Sequence, residues 1–457
     1  MIDIKGLSRR GFLHQAGGGF LGAALAGLWA EAGDIEQATL EPHFTPRAKS
    51  VIFLFMCGGV SHIDTFDPKD NKWAGTLIDA IGFGDNLAAM RRPVIPCLRT
   101  FTRHGKAGIP VSDWFPHVGG VIDDIAVVRS MWCNEGNHFP AVIETCTGHR
   151  GRVFDHPTFG SWVSYALGSA NKNLPTFVNI GRPSSPVQLT GGYLGARVAA
   201  TPFQSGPTPI PNLNLPQGGA ERGRQMQALE ELNAEFRHRY AVNSDIAARA
   251  QAYELAARMQ LSAPEVVDFS REPSHVQALY GIGQEQTDDF GRQLLLARRL
   301  AERGVRFIQV CHAGGGNGGW DAHGDIRTQG PLCRATDKPI AGLIRDLKQC
   351  GMLEETLVVW TSEFGRSPWS QNTTGRDHNP RGYTAWLAGG GVRGGIAHGA
   401  TDDVGYQAVT NRHYYSDLHA TILQQLGLDY RKMEITVFGR PIRLVEEGYG
   451  PINDIVI

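Results

Sequence analysis

Apolar and polar positions divide much of the chain into short apolar runs that alternate with longer amphipathic segments. Continuous apolar runs close to glycines occur at Lys49 to Cys57 (KSVIFLFMC) and in VRFIQVCH, TLVVWTSEFG and YTAWLAGGG, and they predict buried strands. Segments with helical periodicity, DDFGRQLLLARRLAERG, KPIAGLIRDLKQCGM and residues 414–428, predict helices. Because strands and helices alternate, we expect an α/β fold in which a mostly parallel central sheet carries helices on both faces.

Three other stretches complete this outline. Residues 113–132 predict a short helix followed by the strand IAVVRSM, and residues 138–168 predict two helical pieces broken around residues 148–157. Residues 219–262 have the strongest helical pattern, with charges of both signs. We expect this segment to be a helical excursion from the sheet, such as a lid, or else ordinary helices packed on a sheet face.

The first 32 residues have the pattern of a twin-arginine export signal. The motif SRRGFL at residues 8–13 precedes an apolar stretch rich in glycine and alanine, and AEA at residues 30–32 supplies a small-x-small cleavage site. The apolar stretch is too short and too rich in glycine to span roughly 30 Å of hydrocarbon. We therefore expect cleavage rather than a stable membrane anchor, the export machinery as a partner, and a periplasmic or secreted domain over residues 45–457.

Composition narrows the possible partners. The chain of 457 residues carries 44 Lys and Arg against 45 Asp and Glu, so nothing in its charge favours nucleic acid or an anionic membrane as a partner. Its seven cysteines contain no CxxC pair, and their odd number leaves at least one free thiol. These features argue against a nucleic-acid-binding protein and against a dense disulfide framework.

Polar clusters directly follow the predicted strands, where function gathers in open α/β sheets. Carboxylates and imidazoles are the side chains that hold zinc and similar divalent metals. Asp321 and His323 lie two apart and would point to the same side of an extended segment, whereas Asp377 and His378 are adjacent, so that one would ligate and the other orient it. The metal-ligand candidates are Asp321, His323, Glu363, His378, Asp377, Asp64 and His62, and the candidates for catalysis are His138, Ser61, Arg366 and Arg376.

Five motifs together resemble the bacterial family called domain of unknown function 1501, over nearly the whole chain after the signal. They are FMCGGVSHIDTFDPK, HFPAVIETCTGHR, GGWDAHGD, VVWTSEFGRSP and GRDHNPRGYTAWLAGGGVRGG. That family is grouped with the alkaline phosphatase and sulfatase superfamily. The resemblance implies an alkaline phosphatase-like fold, a hydrolase that depends on one or two divalent ions (Zn, Mn, Fe or Ca), and an anionic ester substrate such as a sulfated polysaccharide.

The superfamily pattern can be placed on individual residues of this chain. Glu363 takes the Asp place, and Phe364 the His place, of the Asp-His-Gly motif that ends a phosphatase strand. His378 resembles the late His ligand, and Asp321 and His323 resemble the Asp/His pair of the first metal site. The resemblance implies one metal held by these last three residues.

The superfamily pattern assigns residues to a second metal site and to the reacting groups less completely. Glu363 with Asp64 or His62, and with His138 as a further candidate, would form that second site. Arg366 or Arg376 would bind the anionic substrate oxygens through bidentate hydrogen bonds. His138 falls on the place of the sulfatase nucleophile cysteine.

Several mechanisms therefore stay open. His138 could attack the substrate itself, a metal-bound water could attack directly, or Ser61 could serve as the nucleophile. Alternatively, the chain is a degenerate member of the superfamily that binds a sulfated or phosphorylated ligand, or a partner protein, without cleaving it.

Overall fold

The structure is a computed structural model that describes residues 41–81, 89–151, 155–206, 209–210, 264–370 and 374–457, together with positions 231 and 259. The predicted signal (1–32) lies outside the described residues, as does the predicted helical excursion (219–262) apart from those two positions. No helix in the described ranges is long and apolar enough to cross a membrane.

One sheet of nine strands organises the described part of the chain. Its strands are β1 (Ser50–Met56), β2 (Ile125–Trp132), β3 (Phe177–Ile180), β4 (Thr201–Phe203), β5 (Phe307–His312), β6 (Thr356–Thr361), β7 (Tyr383–Ala388), β8 (Ile396–His398) and β9 (His413–Tyr414). Their spatial order is β8-β2-β7-β6-β1-β5-β3-β4, and β9 also pairs with β2. Within these described strands only β7 runs antiparallel to its neighbours. The prediction of a mostly parallel sheet is therefore confirmed.

Helices cover both faces of this sheet, as the alternating pattern predicts. They are α1 (Pro116–Gly119), α2 (His138–Thr147), α3 (Phe159–Leu167), α4 (Ser274–Leu279), α5 (Asp288–Glu302), α6 (Gln329–Gln349) and α7 (Tyr415–Gln425). Side chains of β1 point alternately to the two faces because a strand has a period of two. Ile52 and Leu54 join the core under α5 and α6. Val51 and Phe53 join the opposite core under α2, α3 and α7.

The predicted strands and helices that lie in the described ranges are observed, but the sequence pattern does not predict the short strands β3, β4, β8 and β9, and it misplaces one helix boundary. The sequence pattern starts a helix at Lys338, but α6 begins at Gln329 and continues through Pro339. Proline lacks an N–H and is expected near the start of a helix. The sequence pattern therefore starts the helix beside Pro339 and misses the helical turns before it. Packing of the longer helix against the sheet outweighs that local cost.

Five two-stranded ribbons decorate the sheet within the described residues. They pair Leu77–Ile81 with Ala89–Pro93, Phe101–His104 with Ile109–Ser112, Gly365–Arg366 with His378–Asn379, Ala400–Thr401 with Ala408–Thr410, and Glu434–Val437 with Arg440–Arg443. The ribbon that follows β6 matters for the site because it places Arg366 directly opposite His378.

Candidate metal centre

The segments that follow β2, β5 and β6 bring four of the predicted residues together at the carboxyl edge of the sheet. Asp321 lies at the centre of this group. Its Oδ2 lies 3.3 Å from Nε2 of His138, and its Oδ1 lies 3.3 Å from Nε2 of His323 and 3.5 Å from Nε2 of His378. We call these four residues the His/Asp cluster.

Glycine at the end of β1 allows this convergence. Gly58 has a φ of +118°, and a Cβ at this position would lie 2.6 Å from the backbone nitrogen of Asp321. A side chain would therefore collide with the backbone that carries the central carboxylate. The amide of Gly58 also donates to both carboxylate oxygens of Glu363, at 2.9 and 3.1 Å.

Two imidazoles of the cluster have a fixed orientation because their Nδ1 atoms are engaged. Nδ1 of His378 donates to the carbonyl oxygen of Gly136 at 2.6 Å, and a carbonyl can only accept. Nδ1 of His138 lies 2.8 Å from Oε1 of Glu363, which accepts its proton in the same way. Each neutral ring consequently keeps its lone pair on Nε2, the atom that faces Asp321.

The third imidazole follows the same rule and comes close to the second. Nδ1 of His323 lies 3.1 Å from Oδ1 of Asp377, and its Nε2 lies 2.8 Å from Nε2 of His378. With the Nδ1 protons given to oxygen acceptors, two lone pairs meet at this distance. A cation between them would remove that repulsion.

The charges of the cluster favour an ionised Asp321 carboxylate and a neutral His378 imidazole. Burial disfavours ionisation of Asp321, but contacts with His138 and His378 and the charge of Arg366 outweigh it and hold the pKa of that carboxyl well below its usual range. Burial lowers the pKa of His378 to about 4. Burial also acts on His138, yet contacts with Asp321 and Glu363 raise its pKa.

The donor set fits a divalent metal. One ligand atom from each of His138, Asp321 and His378 lies within 4.8 Å of the other two, and the described part of the chain contains no second group of three such residues. Nε2 of His138 is buried and makes no aligned hydrogen bond. Carboxylate and imidazole in this arrangement are ordinary ligands of first-row metals.

Arg366, a predicted substrate-binding residue, is placed differently. Its side chain is fully buried, and its NH2 nitrogen donates to Oδ1 of Asp321 at 2.8 Å and to the carbonyl of Gly58. Its other nitrogens donate to the carbonyls of Gly59, at 3.0 Å, and Arg376, at 3.2 Å. In this arrangement Arg366 holds Asp321 in place, and the guanidinium is not presented to a substrate.

Arg376, Asp64 and Ser61 form a separate buried network. Arg376 Nε donates to Asp64 Oδ2 at 2.7 Å, and its remaining nitrogens donate to the carbonyls of Pro96 and Ser367. The Ser61 hydroxyl donates to the same carboxylate at 2.5 Å. Burial disfavours ionisation of Asp64, but Arg376 outweighs burial and lowers its pKa. The sequence suggests Asp64 as a metal ligand, Ser61 as a nucleophile and Arg376 as a substrate-binding residue. In the structure the side chains of Ser61 and Arg376 both bond to that of Asp64.

His62 and Glu363, the other predicted ligands, also have partners of their own. His62 is buried, its Nε2 lies 2.8 Å from the carbonyl of Gly405, and burial lowers its pKa to about 4. Glu363 is fully buried behind His138, and Asp377 lies behind His323. The structure therefore places both carboxylates where they orient imidazoles.

Two contributors to the site have roles that the sequence pattern does not predict. Gly136 supplies only a backbone carbonyl, which no residue type reveals. Phe364 packs its ring 5.0 Å from that of His138 and 4.5 Å from that of His378, measured between ring centroids. Together they fix the two rings from behind and from the side.

Comparison with solved structures gives distant similarities. The PsFucS1 sulfatase from Pseudoalteromonas sp. is 12% identical with a TM-score of 0.35, over 84% of this chain and 68% of that chain. The phosphonate monoester hydrolase SpPMH from Silicibacter pomeroyi is 12% identical with a TM-score of 0.35, over 74% and 73%. An alkaline phosphatase from the Antarctic bacterium TAB5 is 11% identical with a TM-score of 0.31, over 78% and 95%. Likenesses this weak carry no activity or ligand over to this chain.

A family model gives a more specific result. No curated protein matches the chain significantly. The model described as Protein of unknown function (DUF1501), in contrast, matches residues 48–456, a range that contains the whole His/Asp cluster and the nine-stranded sheet. The resemblance that the sequence motifs indicate is thereby confirmed, and the chain belongs to the DUF1501 family.

Proposed function

We propose that the protein is a metal-dependent hydrolase of phosphate or sulfate esters that is exported by the twin-arginine pathway and acts in the periplasm or outside the cell. One observation carries the catalytic part. Three imidazoles direct their Nε2 atoms towards one ionised carboxylate at the carboxyl edge of the sheet, and oxygen acceptors hold all three Nδ1 atoms. Such support behind the ligands is typical of metal centres.

The residues of the cluster have distinct parts in this proposal. His138, Asp321 and His378 would hold the cation, and His323, whose side chain is 39% exposed, would complete the set from the solvent side. A divalent cation bound there would supply Lewis-acid activation of water and neutralise charge on an anionic ester. Arg366 keeps the central carboxylate in position through its hydrogen bond at 2.8 Å.

The donor chemistry favours some metals over others. Imidazole nitrogen suits Zn and Fe, and carboxylate oxygen suits Mn, whereas Ca²⁺ takes six to eight oxygen ligands. Three imidazoles with a single carboxylate therefore favour a transition metal. Of the four metals that the family resemblance implies, we propose Zn, Mn or Fe.

Direct attack by water fits this geometry better than attack by His138. A nucleophilic imidazole needs a free nitrogen that reaches the substrate. His138 is only 9% exposed, with Nδ1 held by Glu363 and Nε2 directed at Asp321. Its position suits a ligand.

A non-catalytic binding protein is the second candidate. It is favoured because His138 takes the place of the sulfatase nucleophile cysteine, so the covalent mechanism that uses this nucleophile is absent. Such a protein would bind a sulfated or phosphorylated ligand, or a partner protein, at the same edge of the sheet.

Elemental analysis combined with a substrate panel separates the two candidates. We expect the exported protein to contain about one equivalent of Zn, Mn or Fe and to hydrolyse aryl phosphates or aryl sulfates. Activity should disappear on chelation and return when the same metal is restored. Protein that is folded, free of metal after growth in metal-supplemented medium, and inactive on both ester classes would contradict the hydrolase and favour the binding protein.

A further inference from the structure

The two buried arginines of the site have no donor left to bind an anionic substrate. All nitrogens of Arg366 and Arg376 already donate to protein oxygens, and both side chains are fully buried. A side chain that binds the anionic substrate must therefore come from the exposed arginines at the same edge of the sheet.

A glycine-rich loop leads from β5 to the His/Asp cluster and faces solvent. It covers residues 313–319, and the amide of Gly319 closes it by donating to the carbonyl of Ala313 at 2.7 Å. The amide of Trp320 donates to the carbonyl of Cys57 at 3.1 Å, which anchors the base of the loop beside the turn after β1. The Asn317 side chain lies 3.4 Å from Oδ2 of Asp321, so the loop borders the cluster directly.

The backbone of this loop presents unused hydrogen-bond donors. None of the four consecutive amides of residues 314–317 donates to any described residue. Ala313, Gly315 and Gly316 have positive φ angles, of 55°, 99° and 56°. Successive amides in such turns form concave surfaces that bind anions.

Arg182 lies against the same loop. It follows β3, it is exposed, and no side chain in the described ranges makes an ion pair with it. A Cβ on Gly315 would lie 2.9 Å from Cζ of Arg182, which shows that the guanidinium packs directly on the loop. A cation and a row of free amides thus occupy one surface beside the cluster.

We propose that Arg182 and the amides of residues 314–317 form a second anion subsite. It binds a sulfate, phosphate or carboxylate group of the substrate other than the one that reacts at the His/Asp cluster. This inference rests on the proposed function for the nature of the ligand, and it narrows that ligand to esters with two or more anionic groups, such as a multiply sulfated saccharide. Arginine suits this role because its planar donors match such oxyanions.

A pair of probes tests the subsite: sulfated disaccharides of the chondroitin type that carry one or two sulfates. Calorimetric titration of the metal-loaded wild-type protein should give a dissociation constant about tenfold lower for the disulfated probe, the value of one charge-assisted contact. Arg182→Met should bring the ratio of the two constants to about one. Arg197→Met is the matched control, because Arg197 is an exposed arginine between β3 and β4 that makes none of the contacts given above for the loop.

The outcomes distinguish this inference from the proposed function. A wild-type protein without preference for the second sulfate, or an Arg182→Met variant that keeps the full preference, would overturn the subsite while leaving ester hydrolysis intact. An equal loss in Arg197→Met would also overturn it, since general surface charge would then explain the effect. A preserved preference in wild-type protein that turns over no ester would instead contradict only the hydrolase.

Discussion

Replacing Glu363 by glutamine tests whether carboxylates behind the imidazoles build the metal centre. Glu363 is fully buried, and its Oε1 accepts from Nδ1 of His138 at 2.8 Å and from the amide of Gly58 at 2.9 Å. Glutamine has nearly the same shape, but it carries no charge. It also brings an NH2 group next to the Gly58 amide, which is itself a donor.

The size of the effect follows from these contacts. A hydrogen bond to a charged group contributes roughly 1.5–3 kcal/mol and a neutral one roughly 0.5–1.5 kcal/mol, so His138 loses about 1–2 kcal/mol of support. That free energy corresponds to roughly a 5- to 30-fold weaker affinity for metal. Loss of a supporting carboxylate behind a metal ligand is expected to weaken binding by about 10- to 100-fold, which overlaps this range.

Competition between the protein and a chromogenic chelator measures this affinity directly. Asp337→Asn is the matched control, because Asp337 is also a buried carboxylate that accepts two backbone amides, at 2.9 and 2.7 Å, but it supports no histidine of the cluster. A Glu363→Gln variant that binds metal within twofold of the wild type would refute the supporting role. A loss beyond about a thousandfold would show that Glu363 itself ligates the metal.

Two further changes test the cluster and the network beside it. His323→Ala should lose metal and any ester hydrolysis together, because the half-exposed ring contributes a metal ligand and little packing. Circular dichroism should show that the fold is intact. Full metal occupancy in that variant would remove His323 from the ligand set. Arg376→Met should cost about 3–5 kcal/mol of unfolding free energy in urea at pH 8, since it leaves Asp64 buried and unpaired. Arg376 lowers the pKa of Asp64 in the wild type, so the pair stabilises the fold above the ordinary carboxyl pKa and loses that stabilisation in stronger acid. In the variant, burial raises the pKa of Asp64 instead, so the destabilisation should shrink as the pH falls towards about 5. An equal loss of unfolding free energy at pH 8 and at about pH 5 would contradict the pairing.

Local pattern predicts the frame of this site well. β1, β5 and β6 are apolar runs that end in polar clusters, and parallel strands bring their carboxyl ends to one edge. The spacing of Asp321 and His323 predicts side chains on one side, and the structure has them 3.3 Å apart. These inferences need only the period of a strand and the direction of the chain.

The assignment of individual roles depends on contacts that residue type does not encode. Asp64 and Glu363 are both carboxylates after apolar strands, yet one meets Arg376, which is distant in the sequence, and the other meets His138. Of the adjacent pair Asp377 and His378, the aspartate supports His323 rather than its neighbour. Such pairings are set by how loops from different strands pack together, so sequence spacing leaves them open.

The place of Phe364 limits the number of cations that the described residues can hold. The Phe364 ring packs against both His138 and His378, whose own ring centroids lie 4.3 Å apart, and it underlies the guanidinium of Arg366 at 5.8 Å. The remaining carboxylates for a second ion have other partners, because Glu363 supports His138 and Asp64 is paired with a buried arginine. Binding a second ion would require one of these buried contacts to break, which costs several kcal/mol. One equivalent of metal per chain is therefore the stoichiometry that this arrangement supports.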